Sequence, residues 1–198
     1  MTTTPGPIVT NDSRITVENR FITVREDAVT FPGGIGGIYN VVTSGTGQGV
    51  AILPLHLDRD GHWCVGVVGQ YRYPLGHTML EIPRGGSNGL AESEAARELE
   101  EETGISGHPL IFLGNIAPDS GLLNTVVPTY AVITDGPAEM VPENGCTTQW
   151  MRWNDYTAKV RSGEILADAF TLSAMALWMS SSEAQQLTAE RMLAAQAS

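Results

Sequence analysis

Apolar and polar positions alternate in part from Arg14 to Val42. Ile15, Val17, Phe21, Ile22 and Val24 in ITVENRFITVRE, rich in β-branched residues, predict two short strands or a hairpin. FPGGIGG then forces a turn. The runs Gly49 to Leu57 (GVAILPLHL) and Trp63 to Val68 (WCVGVV) flank the turn signal DRDG and predict a central hairpin. Met79-Leu80-Glu81-Ile82 reads as a strand ending at Pro83, with Gly85 and Gly86 in the loop that follows. From Ala91 to Thr103 the chain lacks Gly and Pro, is rich in Ala, Leu, Glu and Arg, and is stopped by Gly104, which predicts a helix. Further strands are predicted at Leu110 to Leu113, Thr125 to Thr134 and Thr148 to Trp153. A last helical region covers Asp168 to Met179, with Ala184 to Ala195 as an amphipathic continuation. Strands, helix, strands and helix in that order give an α/β layering without an internal repeat.

Residues 1–13, broken by Pro5 and Pro7, read as a loose tail. Residues 14–45 read as an N-terminal β segment and 46–198 as the main domain. The chain has 198 residues, 42% of them hydrophobic and 17% charged, which fits a folded globular protein and argues against disorder. Such a length buries roughly 70% of the unfolded surface, enough for a core without disulfides, and Cys64 and Cys146 are too few for a disulfide scaffold. No apolar run reaches membrane-spanning length. The N-terminus has neither a basic start nor an apolar stretch, so the expected location is the cytoplasm. Eleven Lys and Arg against 22 Asp and Glu give a formal net charge of −11, which argues against indiscriminate nucleic-acid binding. An anionic ligand would need something positive to bridge it.

The helix at 91–103 offers that bridge. At about 100° per residue, with Glu98 at zero, Glu101 falls at about −60° and Glu102 at about +40°. Three carboxylates thus share an arc of about 100°. A solvated face is one reading of such a run. However, Glu98 and Glu102 are a like-charge i, i+4 pair, extended by Glu94, and stability alone would favour Lys at one position. Converging hard oxygens are what Mg²⁺ or Mn²⁺ needs, with substrate phosphates and waters completing the shell.

The string Arg97-Glu98-Leu99-Glu100-Glu101-Glu102-Thr103-Gly104-Ile105 resembles the R-E-U-x-E-E-x-G-U core of the Nudix hydrolase box, where U is apolar. The resemblance implies Glu98, Glu101 and Glu102 as metal ligands and Arg97 as the arginine that braces them. The front half of the box departs: Pro83 and Gly89 stand where the pattern has a Gly and a Glu, the latter supporting the arginine. With a shortened loop, Glu81 to Gly86 (EIPRGG) resembles the E-L-P-A-G opening of the ADP-ribose pyrophosphatase branch, with Gly85 as the box glycine. By position, Arg84 would offer a positive contact or its backbone carbonyl as a metal ligand.

Other segments are similar to the same branch. Gln70-Tyr71-Arg72-Tyr73 resembles its Q-[FY]-R-Y strand end, where the arginine reaches substrate phosphate; a surface cation between packing tyrosines is the alternative. Asp119 to Asn124 resembles the loop after the box helix, and Gly163-Glu164-Ile165 with Asp168 and Thr171 resembles the G-E-I-x-D-x-x-T helix start. The branch often takes its general base from a glutamate on a loop after the box helix, which points to Glu143 first and Glu139 second, although either could be a solvated acid. Phe21 or Phe31 could stack on a nucleobase from a partner subunit, or pack in a core or interface. His56, His62, His77 and His108 show no metal-ligand spacing and read as surface or turn residues. Cys64 reads as core, and Cys146 as an unreactive loop residue. Trp150 and Trp153 read as strand packing, Trp178 and Met179 as anchors of the last helix.

The fold implied is a Nudix-type α/β/α sandwich with a mixed sheet and an N-terminal antiparallel β segment, dimeric through residues 14–45. The activity implied is Mg²⁺-dependent hydrolysis of a nucleoside diphosphate-linked compound, ADP-ribose to AMP and ribose 5-phosphate. Nucleoside triphosphates, GDP-mannose or NADH are alternative substrates. A nucleotide sensor without turnover and an acidic interaction domain are the contrasting readings.

Overall fold

The computed structural model describes residues 6–45, 48–141 and 145–196, with ten strands and four α-helices among them. The chain divides into two compact units, Met1–Gln48 with Ala117–Val126, and Gly49–Ile116 with Val127–Ser198.

The first unit is a three-stranded antiparallel sheet of β1 (Val9–Glu18), β2 (Ile22–Phe31) and β3 (Ile35–Ser44). Asn19 makes the β1–β2 turn: its side-chain oxygen accepts from the backbone N–H of Phe21 (2.8 Å) and Ile22 (3.1 Å). Gly33 and Gly34, at φ 90° and 83°, make the β2–β3 turn that FPGGIGG predicts. β1 begins at Val9, inside the segment read as a loose tail. Residues 9–13 pair with β2, because extended polar residues such as Thr10, Asp12 and Ser13 need only a partner strand, not a buried face. Every residue of β1 is exposed, Ile15 and Val17 included, as is Phe21. Residues 117–126 join this unit: Val42 N–H donates to the Leu122 carbonyl at 2.9 Å, so Asp119 to Asn124 lies beside β3.

The second unit holds a seven-stranded mixed sheet. β4 (Gly49–Leu57) and β5 (Trp63–Arg72) form the predicted central hairpin. The path runs β10 (Thr147–Arg152), β5, β4, β9 (Val127–Ile133), β8 (Leu110–Ile116). β6 (His77–Glu81) pairs with β5, and β7 (Arg84–Gly86) with β4. β4 and β9 are parallel, and the other pairs antiparallel. Alternation along β4 sends Val50 and Ile52 to one face and Ala51, Leu53 and Leu55 to the other. The first face packs on Ala95 and Leu99 of α1 (Ala91–Thr103). The second packs on Tyr156 of α2 (Trp153–Ser162) and on Ala174, Met175 and Trp178 of α3 (Ala169–Ser180). α4 (Ser182–Gln196) follows. Helices on both faces of a mixed sheet make this unit an α/β/α sandwich.

Several residues sit differently from expectation. Trp153 does not end a strand but opens α2, a helix whose N-cap, Arg152, makes no side-chain cap bond and so leaves no signal in the sequence. His56 is buried, its ring edge-on to Trp150 at 4.7 Å between centroids. Met179 is exposed, and Trp178 alone anchors that turn of α3. Arg84 to Gly86 form a short strand rather than a loop. No helix among the described residues is long and apolar enough to cross a membrane.

Candidate active site

Helix α1 turns Ala95, Leu99 and Thr103 toward the sheet. Glu98 and Glu102, one position to the side of that stripe, are therefore half-buried, whereas Glu101 is exposed. β7 brings the backbone of residues 84–86 alongside them. The Arg84 N–H donates to Glu102 Oε2 at 3.0 Å. At Gly85 an added Cβ would overlap the Glu98 carboxylate, so glycine here lets that carboxylate sit against the strand.

One guanidinium orders the acids. Arg97 Nη1 donates to Glu101 Oε2 at 2.6 Å, and Nη2 donates to Glu98 Oε1 at 2.6 Å, Glu94 Oε2 at 3.1 Å and the Gly86 carbonyl at 3.4 Å. Sequence reasoning gave Glu94 no role beyond extending the acidic row. In the fold it supplies Arg97 with a carboxylate, the service left unfilled by Gly89, five residues earlier and ahead of the helix. The i, i+3 spacing of Glu94 and Arg97 was the signal that could have found it. Glu94→Gln should lower turnover about 10-fold, the lower end of the 10- to 100-fold range for partners that orient ligands, with an unchanged melting temperature. Steady-state assays of the two proteins check this.

Glu102 carries the most perturbed carboxyl of the site. Burial pushes its pKa from 4.5 up to about 7, opposed by the Arg84 N–H and reinforced by the neighbouring Glu98 charge; Arg72 and Arg84 pull it down less strongly. Burial likewise raises Asp168 above the usual 3.8. A carboxyl with a raised folded pKa favours the fold while protonated: the contribution is full below about 4.5 and is lost as pH rises through about 7. The metal-free chain in chelator should therefore melt at a lower temperature at pH 8 than at pH 5. Glu102→Gln should flatten that decline, as differential scanning calorimetry would record.

Beside the acids lies a second charged cluster. Buried Glu81 accepts through Oε2 from Arg72 Nε (3.0 Å) and Nη2 (2.5 Å) and from Arg84 Nε (3.3 Å) and Nη2 (3.1 Å). Arg84 also stacks on Phe170, with Cζ 5.1 Å from the ring centroid. Asp168 caps α3, accepting from the Thr171 N–H at 2.6 Å, and Thr171 Oγ1 accepts from the Ile82 N–H at 3.1 Å. The Glu81–Gly86 and Gly163–Thr171 segments thus meet at the C-terminal end of β6, flanking a cleft of about 380 Å³.

Glu98, Glu101, Glu102, Arg84 and Arg72 are therefore brought to one region. Among the described residues, the ligand atoms of the three glutamates do not all lie within 4.8 Å of one another. Asp58, Asp60 and His62 do meet that distance, but both carboxylates pair with Arg152, Asp58 at 2.8 Å and Asp60 at 2.5 Å, and Asp58 Oδ1 accepts from the Asp60 and His62 N–H groups, which accounts for them as a braced turn. Glu143 lies outside the described residues. Glu139 is exposed between β9 and β10.

A mouse (Mus musculus) protein named ADP-sugar pyrophosphatase is 29% identical over 139 residues, covering 67% of this chain and 64% of the relative. A solved structure of an ADP compounds hydrolase superposes with a TM-score of 0.65 at 15% identity, covering 89% of this chain and 94% of that one. The chain resembles the ADP-ribose pyrophosphatase-like Nudix hydrolases in sequence and has their fold. No family model matches the chain. The chain spans less than two thirds of the length of the mouse relative. The segment that resembles the Nudix box lies on α1 and its C-terminal end, and Gly85 lies on the strand that touches this helix.

Proposed function

We propose that this chain is a Mg²⁺-dependent pyrophosphohydrolase of nucleoside diphosphate-linked compounds, cleaving ADP-ribose to AMP and ribose 5-phosphate. The observation that carries this reading is the seating of Glu98 and Glu102 against the Arg84–Gly86 backbone, braced by Arg97 and adjoining a cleft that holds Arg72 and Arg84. A divalent cation fits these residues. They are hard oxygen donors, and Glu98 and Glu102 sit half-buried beside one another, where a cation would offset the cost of carrying both charges. Glu98, Glu101, Glu102 and the Arg84 carbonyl would hold it. Bound there, Mg²⁺ or Mn²⁺ would neutralise the diphosphate and lower the pKa of the attacking water.

The chain's own groups have separate tasks. Arg72 and Arg84 hold phosphate oxygens. Arg97 keeps Glu98 and Glu101 oriented. Glu143, with Glu139 as second choice, takes the proton of the water whose oxygen bonds to phosphorus, and the bridging P–O bond breaks with its electron pair leaving on the departing phosphate. The N-terminal sheet, with Ile15, Val17 and Phe21 exposed, supports a homodimer formed through residues 14–45. Light scattering of the purified chain tests that assembly.

The test of activity is release of nucleoside monophosphate with Mg²⁺ from ADP-ribose, GDP-mannose, NADH and nucleoside triphosphates. ADP-ribose should be turned over fastest. A chain that binds ADP-ribose without releasing AMP in Mg²⁺ or Mn²⁺ would be a sensor instead.

A further inference from the structure

The cleft next to the box helix is lined by Arg72, Leu75, Glu81, Arg84, Leu166 and Asp168, among others. Its charged groups are two guanidiniums, Arg72 and Arg84, and two carboxylates, Glu81 and Asp168. Glu81 accepts from both guanidiniums through one oxygen, and from each through Nε and Nη2. The two oxygens of Asp168 differ. Oδ1 is committed to the Thr171 N–H at the start of α3. Oδ2 is buried and has no hydrogen-bond donor among the described residues, and Arg84 Nε, at 3.8 Å, is beyond hydrogen-bond reach.

A buried carboxylate oxygen without a donor is unfavourable, and a ligand that brings a donor gains what the fold leaves unmade. With two guanidiniums already in the cleft, that donor is a neutral group on an anionic molecule rather than another cation. A phosphorylated sugar has this composition, with phosphate for Arg72 and Arg84 and a hydroxyl for the acceptor. We propose that Asp168 Oδ2 accepts a hydrogen bond from a hydroxyl of the phosphorylated sugar half of the substrate, making this cleft the sugar-recognition subsite. The inference rests on the pyrophosphohydrolase reading given above and adds to it a specificity-determining residue.

Asp168→Asn separates the two oxygens, because asparagine caps a helix as well as aspartate does while an N–H₂ donor replaces one acceptor. Asp168→Ser serves as a second variant, keeping a capping oxygen and removing the other. Calorimetry with ribose 5-phosphate, and with ethyl phosphate as the control without sugar hydroxyls, should show ribose 5-phosphate bound more tightly by the wild type. Both variants should lose about 10- to 100-fold in that affinity, the size of one hydrogen bond to a charged group, and so narrow the preference. In turnover, Asp168→Asn should raise KM for ADP-ribose more than it changes kcat, and narrow the preference for ADP-ribose over the ethyl ester of ADP. Equal binding of ribose 5-phosphate by wild type and both folded variants, or no binding by the wild type, would overturn the inference even if ADP-ribose is hydrolysed. Binding that depends on Asp168 in a chain that hydrolyses neither diphosphate would sustain the subsite and remove the hydrolase reading.

Discussion

Glu98→Gln and Glu102→Gln should each lower Mg²⁺-dependent release of AMP from ADP-ribose by more than about 100-fold, the upper end of what loss of a mere orienting partner costs. Glu101→Gln should act in the same direction. The substitutions keep volume and one acceptor oxygen, so the Arg84 N–H retains a partner at position 102. What is lost is charge. For Glu102, glutamine mimics the protonated carboxyl that burial already favours, so the fold loses nothing while a cation loses a ligand. Single-turnover assays with Mg²⁺ titrated into each variant, beside thermal melts, measure both quantities. Near-normal rates in all three variants would remove the acidic flank of α1 from the chemistry.

Gly85→Ala should reduce turnover by about 100-fold, the scale set by a misplacement of roughly 1 Å in a positioned group. Gly85 is not among the glycines at positive φ, so alanine meets no backbone obstacle. The obstacle is the Glu98 carboxylate, which a methyl group would overlap. That carboxylate ends a flexible side chain and can swing away, so the melting temperature should fall by little while Glu98 leaves its bond to Arg97. A variant as active as the wild type would mean that Glu98 works from another position.

How much of this was legible follows from which forces are local. The helix Ala91–Thr103 was readable, since its composition and the stop at Gly104 act within the segment. The β4–β5 hairpin was readable from two apolar runs around a turn. α2 was not, because it starts directly from β10 without a capping side chain and is held by Tyr156 donating to the Leu80 carbonyl of β6, distant in sequence. β1 was underread because its residues are polar and exposed, and its structure comes from pairing alone. In the site, the glutamates on one helix could be counted, and Gly85 could be aligned. The Glu81 clamp on Arg72 and Arg84, and the meeting of β6 with the start of α3, join residues that only the tertiary fold makes neighbours.

The parallel pairing of β4 with β9 sets the order in which this chain can acquire its structure. Ala51 pairs with Thr129 and Leu55 with Ile133, so the middle of the sheet stays open on one side until the ribosome has delivered residues far downstream. At 5–20 residues per second that wait is roughly 4–15 s, during which Ile52 and Leu53 form an apolar strand edge available to any neighbour. Such a sequence separation also places the chain among slow folders. Recovery of native protein from concentrated denatured stocks is thereby limited by encounters between half-built sheets.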